Sequence, residues 1–404
     1  VQSSPKPIRV AFLTHEPFFP PSGGGSAEAN YVVEEMTRRG HEVHVFCPKL
    51  ADPKAVERQF GVRVHEFTTW EMGRYTRLRN FKYVLYPFFL ERLVARDARI
   101  TPFGVVFSQH AISAVAAGRL KGRLGTPVVM NFLDYLTGFM ETWPVFKALK
   151  PVIGALTRFE LSIPSRYDAD AVCAVSDVLA EYFVRSGYPA ERVEPIYFGY
   201  DSGLFRLRAN PPRNAAPLVV MHGSLDVHHL GETAFVALKT VHQARPDARF
   251  RFVGHRTGAL EGLLARVRAE MPKAVVETTG FVPYAEVPGR LVDADVGIVP
   301  YEESKGTRCA FVAKPVEYAA LGIPVVCTPL ESVKRFFGNT PLIRFSEFDG
   351  VDFGQKIVSW FSEPPERIAA WGAEASHKVE TELDWRSISR KAVNRMERVA
   401  RSKK

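Results

Sequence analysis

Lys314 and Glu317 stand three residues apart at the head of Lys314-Pro315-Val316-Glu317-Tyr318-Ala319-Ala320-Leu321-Gly322-Ile323-Pro324, which runs into the buried-strand pattern Val325-Val326-Cys327. Small, helix-favouring residues between a proline and a glycine predict a short helix. Its first turn carries unpaired backbone N–H groups and a partial positive charge. With an ammonium and a carboxylate on adjacent turns of one face, such a helix head suits a ligand bearing phosphates and hydroxyls. The structural alternative is a short core helix with two solvated charges. A second glycine-rich turn, Ser22-Gly23-Gly24-Gly25-Ser26, favours the ligand reading. Glycines let the backbone approach a ligand closely, and a helical segment, 27–39, follows at once to point its N–H groups at an anion. A mobile surface turn is the alternative there.

The elements that must position these residues alternate between strand and helix. Segment 8–14, the glycine turn, helix 27–39 and strand 42–47 form a βαβ unit, which demands a parallel sheet. Further strands are predicted at 62–67, 105–108, 128–132, 171–175 and 193–197. Residues 206–217, rich in Pro, Asn and Arg and without periodicity, predict a linker. A second series begins at 218–223 and continues through helix 232–244 and strands 250–253, 275–278, 296–299 and 324–327. The expected architecture is α/β: two doubly wound, Rossmann-like domains, 1–205 and 218–380, facing across a cleft at the carboxyl ends of their strands. A terminal segment, 381–404, is expected to pack back on the first domain as a basic amphipathic helix.

Composition sets outer limits. At 404 residues, 46% hydrophobic and 24% charged, the chain is globular and too long for one core. Cys47, Cys173, Cys309 and Cys327 lack any metal-ligand spacing and read as small core residues. No apolar run approaches a membrane span; a cytoplasmic protein is expected. A net charge of +9 suits nucleic acid, an anionic membrane or anionic substrates. No zinc-finger, RNP or homeodomain pattern appears, which argues against nucleic acid. Between Trp70 and Arg99, basic and aromatic residues are interleaved, as in a segment resting on an anionic lipid surface; an ordinary amphipathic excursion is the alternative.

The ordered pieces Pro20-Pro21-Ser22-Gly23-Gly24-Gly25, Arg39-Gly40-His41-Glu42-Val43, Asp170-Ala171-Val172-Cys173-Ala174-Val175-Ser176, Gly199-Tyr200-Asp201, Phe252-Val253-Gly254, Thr279-Gly280-Phe281-Val282-Pro283, Ala294-Asp295-Val296-Gly297-Ile298-Val299-Pro300 and the Lys314 stretch together resemble GT-B fold glycosyltransferases, in particular the retaining family 4. The resemblance implies transfer of a sugar from a nucleotide diphosphate sugar, UDP- or GDP-linked, to a hydroxyl of a saccharide, lipid-linked or small-metabolite acceptor. It implies retention, and neither metal nor cofactor. The donor would be held by Gly23, Gly24, Gly25, Gly223, Ser224, Gly254, Val282, Glu317 and the backbone of Ala310 and Phe311. His15 and Glu16 would contact the acceptor, Asp134 would orient or deprotonate it, and Lys314 and Arg308 would neutralise the leaving diphosphate. His110, at another strand end, reads as a buried histidine rather than a base.

Three motifs depart from the family. Cys309 stands where the first glutamate of the E-x7-E motif belongs, Glu317 being the second. Ser224 and, approximately, His229 replace the arginine and lysine that bind the diphosphate. Leu133 replaces the histidine of a His-Asp pair, leaving Asp134. Asp226, His228 and His229 suggest a metal site, set aside because adjacent histidines point to different sides of most backbones. The departures keep two rivals open: a non-catalytic nucleotide-sugar-binding subunit, and another GT-B chemistry such as sugar-nucleotide epimerisation.

Overall fold

The computed structural model describes residues 6–21, 24–67, 81–142, 150–210, 212 and 214–402. Its contacts divide the chain into two compact units: residues 1–136, 154–198 and 386–404, and residues 137–153 and 199–385.

The first unit carries β1 (Arg9–Leu13), β2 (Glu42–Pro48), β3 (Arg63–Phe67), β4 (Val105–Gln109), β5 (Val128–Phe132), β6 (Ala171–Ala174) and β7 (Val193–Pro195). They form one parallel sheet in the order β3-β2-β1-β4-β5-β6-β7. Val10 pairs with both Val43 and Val105, so the order reverses at β1. Every residue of β4, β5 and β6 is buried, as expected of parallel strands covered on both faces. The reversal brings the carboxyl ends of β1, β4 and β5 together, where doubly wound sheets bind ligands.

The second unit repeats the plan with β8 (Leu218–His222), β9 (Arg249–Val253), β10 (Val275–Thr278), β11 (Val296–Val299), β12 (Val325–Cys327) and β13 (Ile343–Phe345). The order is β10-β9-β8-β11-β12-β13, all parallel. β13 is not among the strands predicted from the sequence.

The expected boundaries shift. Residues 206–217 are not a free linker: Arg208 is buried, and its guanidinium donates to the carbonyls of Ala294 at 2.7 Å and Gly322 at 3.1 Å. The boundary lies at 198/199, and residues 137–153 cluster with the second unit rather than the first. Within the second unit, entry and exit segments are paired, Tyr200 N–H donating to Leu383 O and Trp385 N–H to Tyr200 O, both at 3.0 Å. The terminal helix Trp385–Ser402 lies almost wholly in the first unit. There Glu397 meets His41 at 2.9 Å and Arg39 at 3.4 Å, so the Arg39-Gly40-His41 piece serves as a dock for that helix.

Candidate active site

In the second unit the helix Ala313–Leu321 follows the predicted course and stops at Gly322, whose φ of 69° suits glycine. It is a core helix, every residue from Lys314 to Leu321 being buried, so its two charges are not solvated. Both are instead held by β8 and its loop. Glu317 Oε2 lies 2.5 Å from His222 Nε2, at the end of β8. Its Oε1 makes no hydrogen bond among the described residues. Lys314 Nζ lies 3.3 Å from His229 Nε2 and 5.4 Å from the Tyr301 ring centroid, within cation–π range. Burial pushes the ammonium down to about 8, against the pull of Glu317 and Asp226. A buried cation without a tight carboxylate partner is costly, and the arrangement is one that an anion would relieve.

The turn above it is built of glycines. Gly223 has φ 93°, and a Cβ there would sit 3.4 Å from Lys314 Cε. A Cβ on Gly254, after β9, would strike the Gly223 carbonyl at 2.2 Å. Gly254 also bridges to Gly280, after β10. Three neighbouring strand ends thus lay bare backbone, the Gly223 turn against Lys314. Beside them His255 and Phe281 stack at 4.6 Å, with Phe281 53% exposed. Val282 is half-buried next to this pair. Nothing in the sequence singled out Phe281 as a platform; an aromatic following the turn glycine Gly280 was the available signal.

Other predicted residues lie elsewhere or are occupied. Arg308 is half-exposed and pairs with Glu303 on the surface; no contact among the described residues joins it to Lys314. Ser224 donates to Asp226. The Thr307 hydroxyl closes a capping box with Ser304, and Ala310 N–H donates to Thr307 O at 3.2 Å, so both groups are already engaged within their own loop. Cys309 is buried, its Sγ directed at Gly306 O, and Phe311 packs on Phe336. His228 and His229 do not diverge: their ring centroids are 4.0 Å apart, and with Asp226 their ligand atoms lie within 4.8 Å. A metal there would face the Lys314 ammonium, so this set suits an anion better than a cation.

In the first unit the carboxyl ends of β1, β4 and β5 assemble His15, Glu16, His110 and Asp134. His15 and His110 meet edge-to-face at 5.1 Å. His110 Nδ1 lies 3.6 Å from Asp134 Oδ2, and its Nε2, 3.9 Å from Glu16, makes no hydrogen bond among the described residues. His110 has φ 66°, a left-handed conformation rare outside glycine. Strained and backed by a carboxylate, it is a better candidate for the site than its sequence context suggested. Its ring explains Gly25, whose Cβ would meet His110 Nε2 at 2.8 Å. Gly24 begins the helix Gly24–Arg38, and Gly23 lies outside the described residues. One turn into that helix, buried Glu28 accepts from Gln109 Nε2 at 2.6 Å and Asn131 Nδ2 at 2.8 Å. Burial raises its carboxyl to about 7 despite both bonds. Sequence reasoning missed Glu28, which looks like any polar helix position.

A glycosyl transferase 4-like domain model matches residues 23–199, and a glycosyl transferases group 1 model matches residues 216–362. No curated protein matches the chain. Among solved structures, the fold is similar to that of sucrose-phosphate synthase from Thermosynechococcus elongatus, at TM-score 0.79 and 15% identity over 97% of this chain and 98% of that one. It is similar to Anabaena HepE in complex with UDP, at TM-score 0.72 and 15% identity over 97% and 100%. WaaG, a glycosyltransferase involved in lipopolysaccharide biosynthesis, matches at TM-score 0.64 and 17% identity over 96% and 99%. With both of its Rossmann-like units matched by the two halves of one enzyme family, the chain belongs to the GT-B glycosyltransferases, a glycosyl transferase 4-like domain followed by a glycosyl transferases group 1 domain.

Proposed function

We propose that the protein transfers a sugar, with retention and without a metal, from a nucleotide diphosphate sugar to an acceptor hydroxyl. The observation that carries this reading is the buried Lys314 ammonium beneath the Gly223 turn, beside a Glu317 whose Oε1 is open. The turn and the ammonium bind the diphosphate, Glu317 Oε1 accepts from the ribose, and His255 and Phe281 stack on the base. HepE, of similar fold, is known in complex with UDP and with UDP-glucose, which supports a UDP-sugar. Transfer breaks the bond from the anomeric carbon to the diphosphate oxygen and forms one to the acceptor oxygen. Lys314 stabilises the charge that grows on the leaving diphosphate, and His110, backed by Asp134, orients the acceptor hydroxyl.

The acceptor is presented at an anionic membrane surface inside the cell. The support is an exposed apolar face on the helix Lys150–Arg166, where Val152, Leu156 and Phe159 recur at helical spacing beside Arg158 and Arg166. Val84, Phe88 and Phe89 are exposed on the helix Phe81–Ala98; residues 68–80 of the basic-aromatic stretch lie outside the described residues. Among the described residues no helix is long and apolar enough to cross a membrane.

Three measurements test the reading. Turnover is followed with UDP-, GDP- and ADP-sugars, and binding by calorimetry. A UDP-sugar turned over onto acceptor is expected; binding without turnover favours the non-catalytic subunit, and a changed sugar nucleotide without acceptor favours epimerisation. Anionic liposomes should sediment the protein at low salt and release it as salt rises, since exposed charges are screened within about 8 Å at 0.15 M. No binding at any salt leaves soluble acceptors.

A further inference from the structure

Toward the amino-terminal ends of β1 and β2, away from the strand ends assigned to sugar transfer, we infer that His44, His65 and Asp97 form a binding site for a divalent metal ion of the zinc class. The β2–β3 register pairs Phe46 with His65, so His44 lies diagonal to His65 on the same sheet face. Asp97 comes down on that face from the last turn of the helix Phe81–Ala98. His44 Nδ1 is 2.8 Å from His65 Nε2 and 3.3 Å from Asp97 Oδ2. All three ligand atoms lie within 4.8 Å of one another. Tetrahedral zinc, with bonds of about 2.0–2.2 Å, separates its ligands by roughly 3.3 Å, so the set needs little movement to close on an ion.

The outer contacts fix which nitrogen is free. His44 Nε2 lies 3.0 Å from Glu42 Oε1, and a carboxylate only accepts, so the His44 proton sits on Nε2. The Nδ1 lone pair then accepts from His65 Nε2–H at 2.8 Å, with Asp97 Oδ2 3.3 Å away, and with His65 in its Nδ1–H tautomer a cation takes the place of that proton among the three atoms. A carboxylate behind a histidine is the usual outer support of a zinc ligand. Aromatic walls surround the two imidazoles: Phe103 meets His44 edge-on at 5.2 Å, and Phe46 stacks on His65 at 4.5 Å. Arg9 is the one guanidinium within 3 Å of Asp97 among the described residues, donating to Oδ2 at 2.7 Å. Glu42 lies 3.5 Å from Arg9 and 3.7 Å from Arg63, so the two carboxylates face two guanidiniums. His65 is partly exposed, leaving a position open to water. An ion here would tie β2, β3 and the helix Phe81–Ala98 together.

The probe is Zn²⁺ added to the full chain after chelator treatment, read by calorimetry, metal analysis and thermal denaturation, with Co²⁺ absorption reporting geometry. Wild type should bind one equivalent with a raised Tm and tetrahedral Co²⁺ bands. His65→Ala and Asp97→Asn should abolish all three signals, and Glu42→Gln should weaken binding about 10–100-fold. These residues are partly exposed, so the variants are expected to fold where His44→Ala would not. His229→Ala should bind as wild type does. The inference is overturned if wild type takes up no Zn²⁺, if His65→Ala and Asp97→Asn bind as well as wild type, or if binding is lost only in His229→Ala.

Discussion

At the carboxyl end of the first sheet the buried ionisable group is Glu28, whose carboxyl burial raises to about 7; at the matching end of the second sheet it is Lys314, whose ammonium burial lowers to about 8. Both sheets are parallel and doubly wound, and both place a glycine turn at a strand end. The difference lies in how each buried group is satisfied. Glu28 is tied by two side-chain amides that stitch its helix to β4 and β5. Lys314 has a neutral histidine at 3.3 Å and an aromatic face. The first arrangement is complete without a ligand, and the second is short of an anion. One fold thus supplies a finished scaffold in one unit and an unfinished charge in the other, and phosphate chemistry belongs with the unfinished one.

The largest expected effect follows from removing that charge. Lys314→Ala should lower kcat by about 10²–10³-fold, more than it raises KM, because the interaction strengthens as the diphosphate leaves. In wild type, kcat/KM should decline as pH rises through about 8, where the buried ammonium of the free enzyme loses its proton. Arg308→Ala, which removes only a surface partner of Glu303, should leave kcat within about twofold. Equal losses in both variants would erase the contrast between a buried and an exposed cation.

Next is Glu317→Ala, expected to raise donor Kd by about 10–100-fold through loss of a charge-assisted hydrogen bond of about 1.5–3 kcal/mol. Because Glu317 is buried against His222, the same change should also lower Tm by stranding the imidazole. Glu317→Gln retains the shape and an acceptor oxygen and should recover most of the Tm but not the affinity. An exposed ribose ligand would show affinity loss with Tm unchanged.

Glu28 offers the matching test in the first unit. Its folded-state carboxyl titrates near 7 and its unfolded one near 4.5. Between these values the folded state holds a proton that the unfolded state has lost, so stability is greatest below about 4.5 and falls as pH rises to about 7. The linked change is about 3 kcal/mol. Glu28→Gln should flatten this part of the pH–stability curve in chemical denaturation. An unaltered slope would mean that Glu28 is not the group responsible.

What was legible in the sequence follows from range. Strand–helix alternation and the glycine turns are local patterns, and twelve of the strands lie at or near their predicted positions, β13 being the exception. Several motif pieces proved structural. Asp295 accepts from Leu218 N–H at 2.7 Å and Asn214 Nδ2 at 2.8 Å, and Gly297 is bare because the Tyr318 ring lies where its Cβ would be. The site was legible at Lys314 and Glu317 because they share one helix turn. His222 and Glu28 escaped, and His229 and His110 were named without their present roles, because each acquires its role from a partner on another strand or helix. No spacing rule reports that a lysine will be buried beside a histidine 85 residues away.

The smallest effect is expected at the edge of the second unit, where His255 and Phe281 stack in the open. An exposed aromatic pair gains little by remaining in water, and it lies beside Gly254 and Gly280, whose bare backbone flanks the Gly223 turn. A flat nucleobase on Phe281 would contribute about 1–1.5 kcal/mol, since stacking is tolerant of base identity and part of the ring stays wet. Phe281→Ala should therefore raise donor KM by roughly fivefold to tenfold with kcat unchanged, the opposite split from Lys314→Ala. It should weaken free UDP and a UDP-sugar equally in calorimetry, because the base is common to both, while Phe281→Trp should restore the affinity. A loss confined to the sugar nucleotide would move Phe281 from the base to the sugar, and no loss for either would leave the pair as surface packing alone.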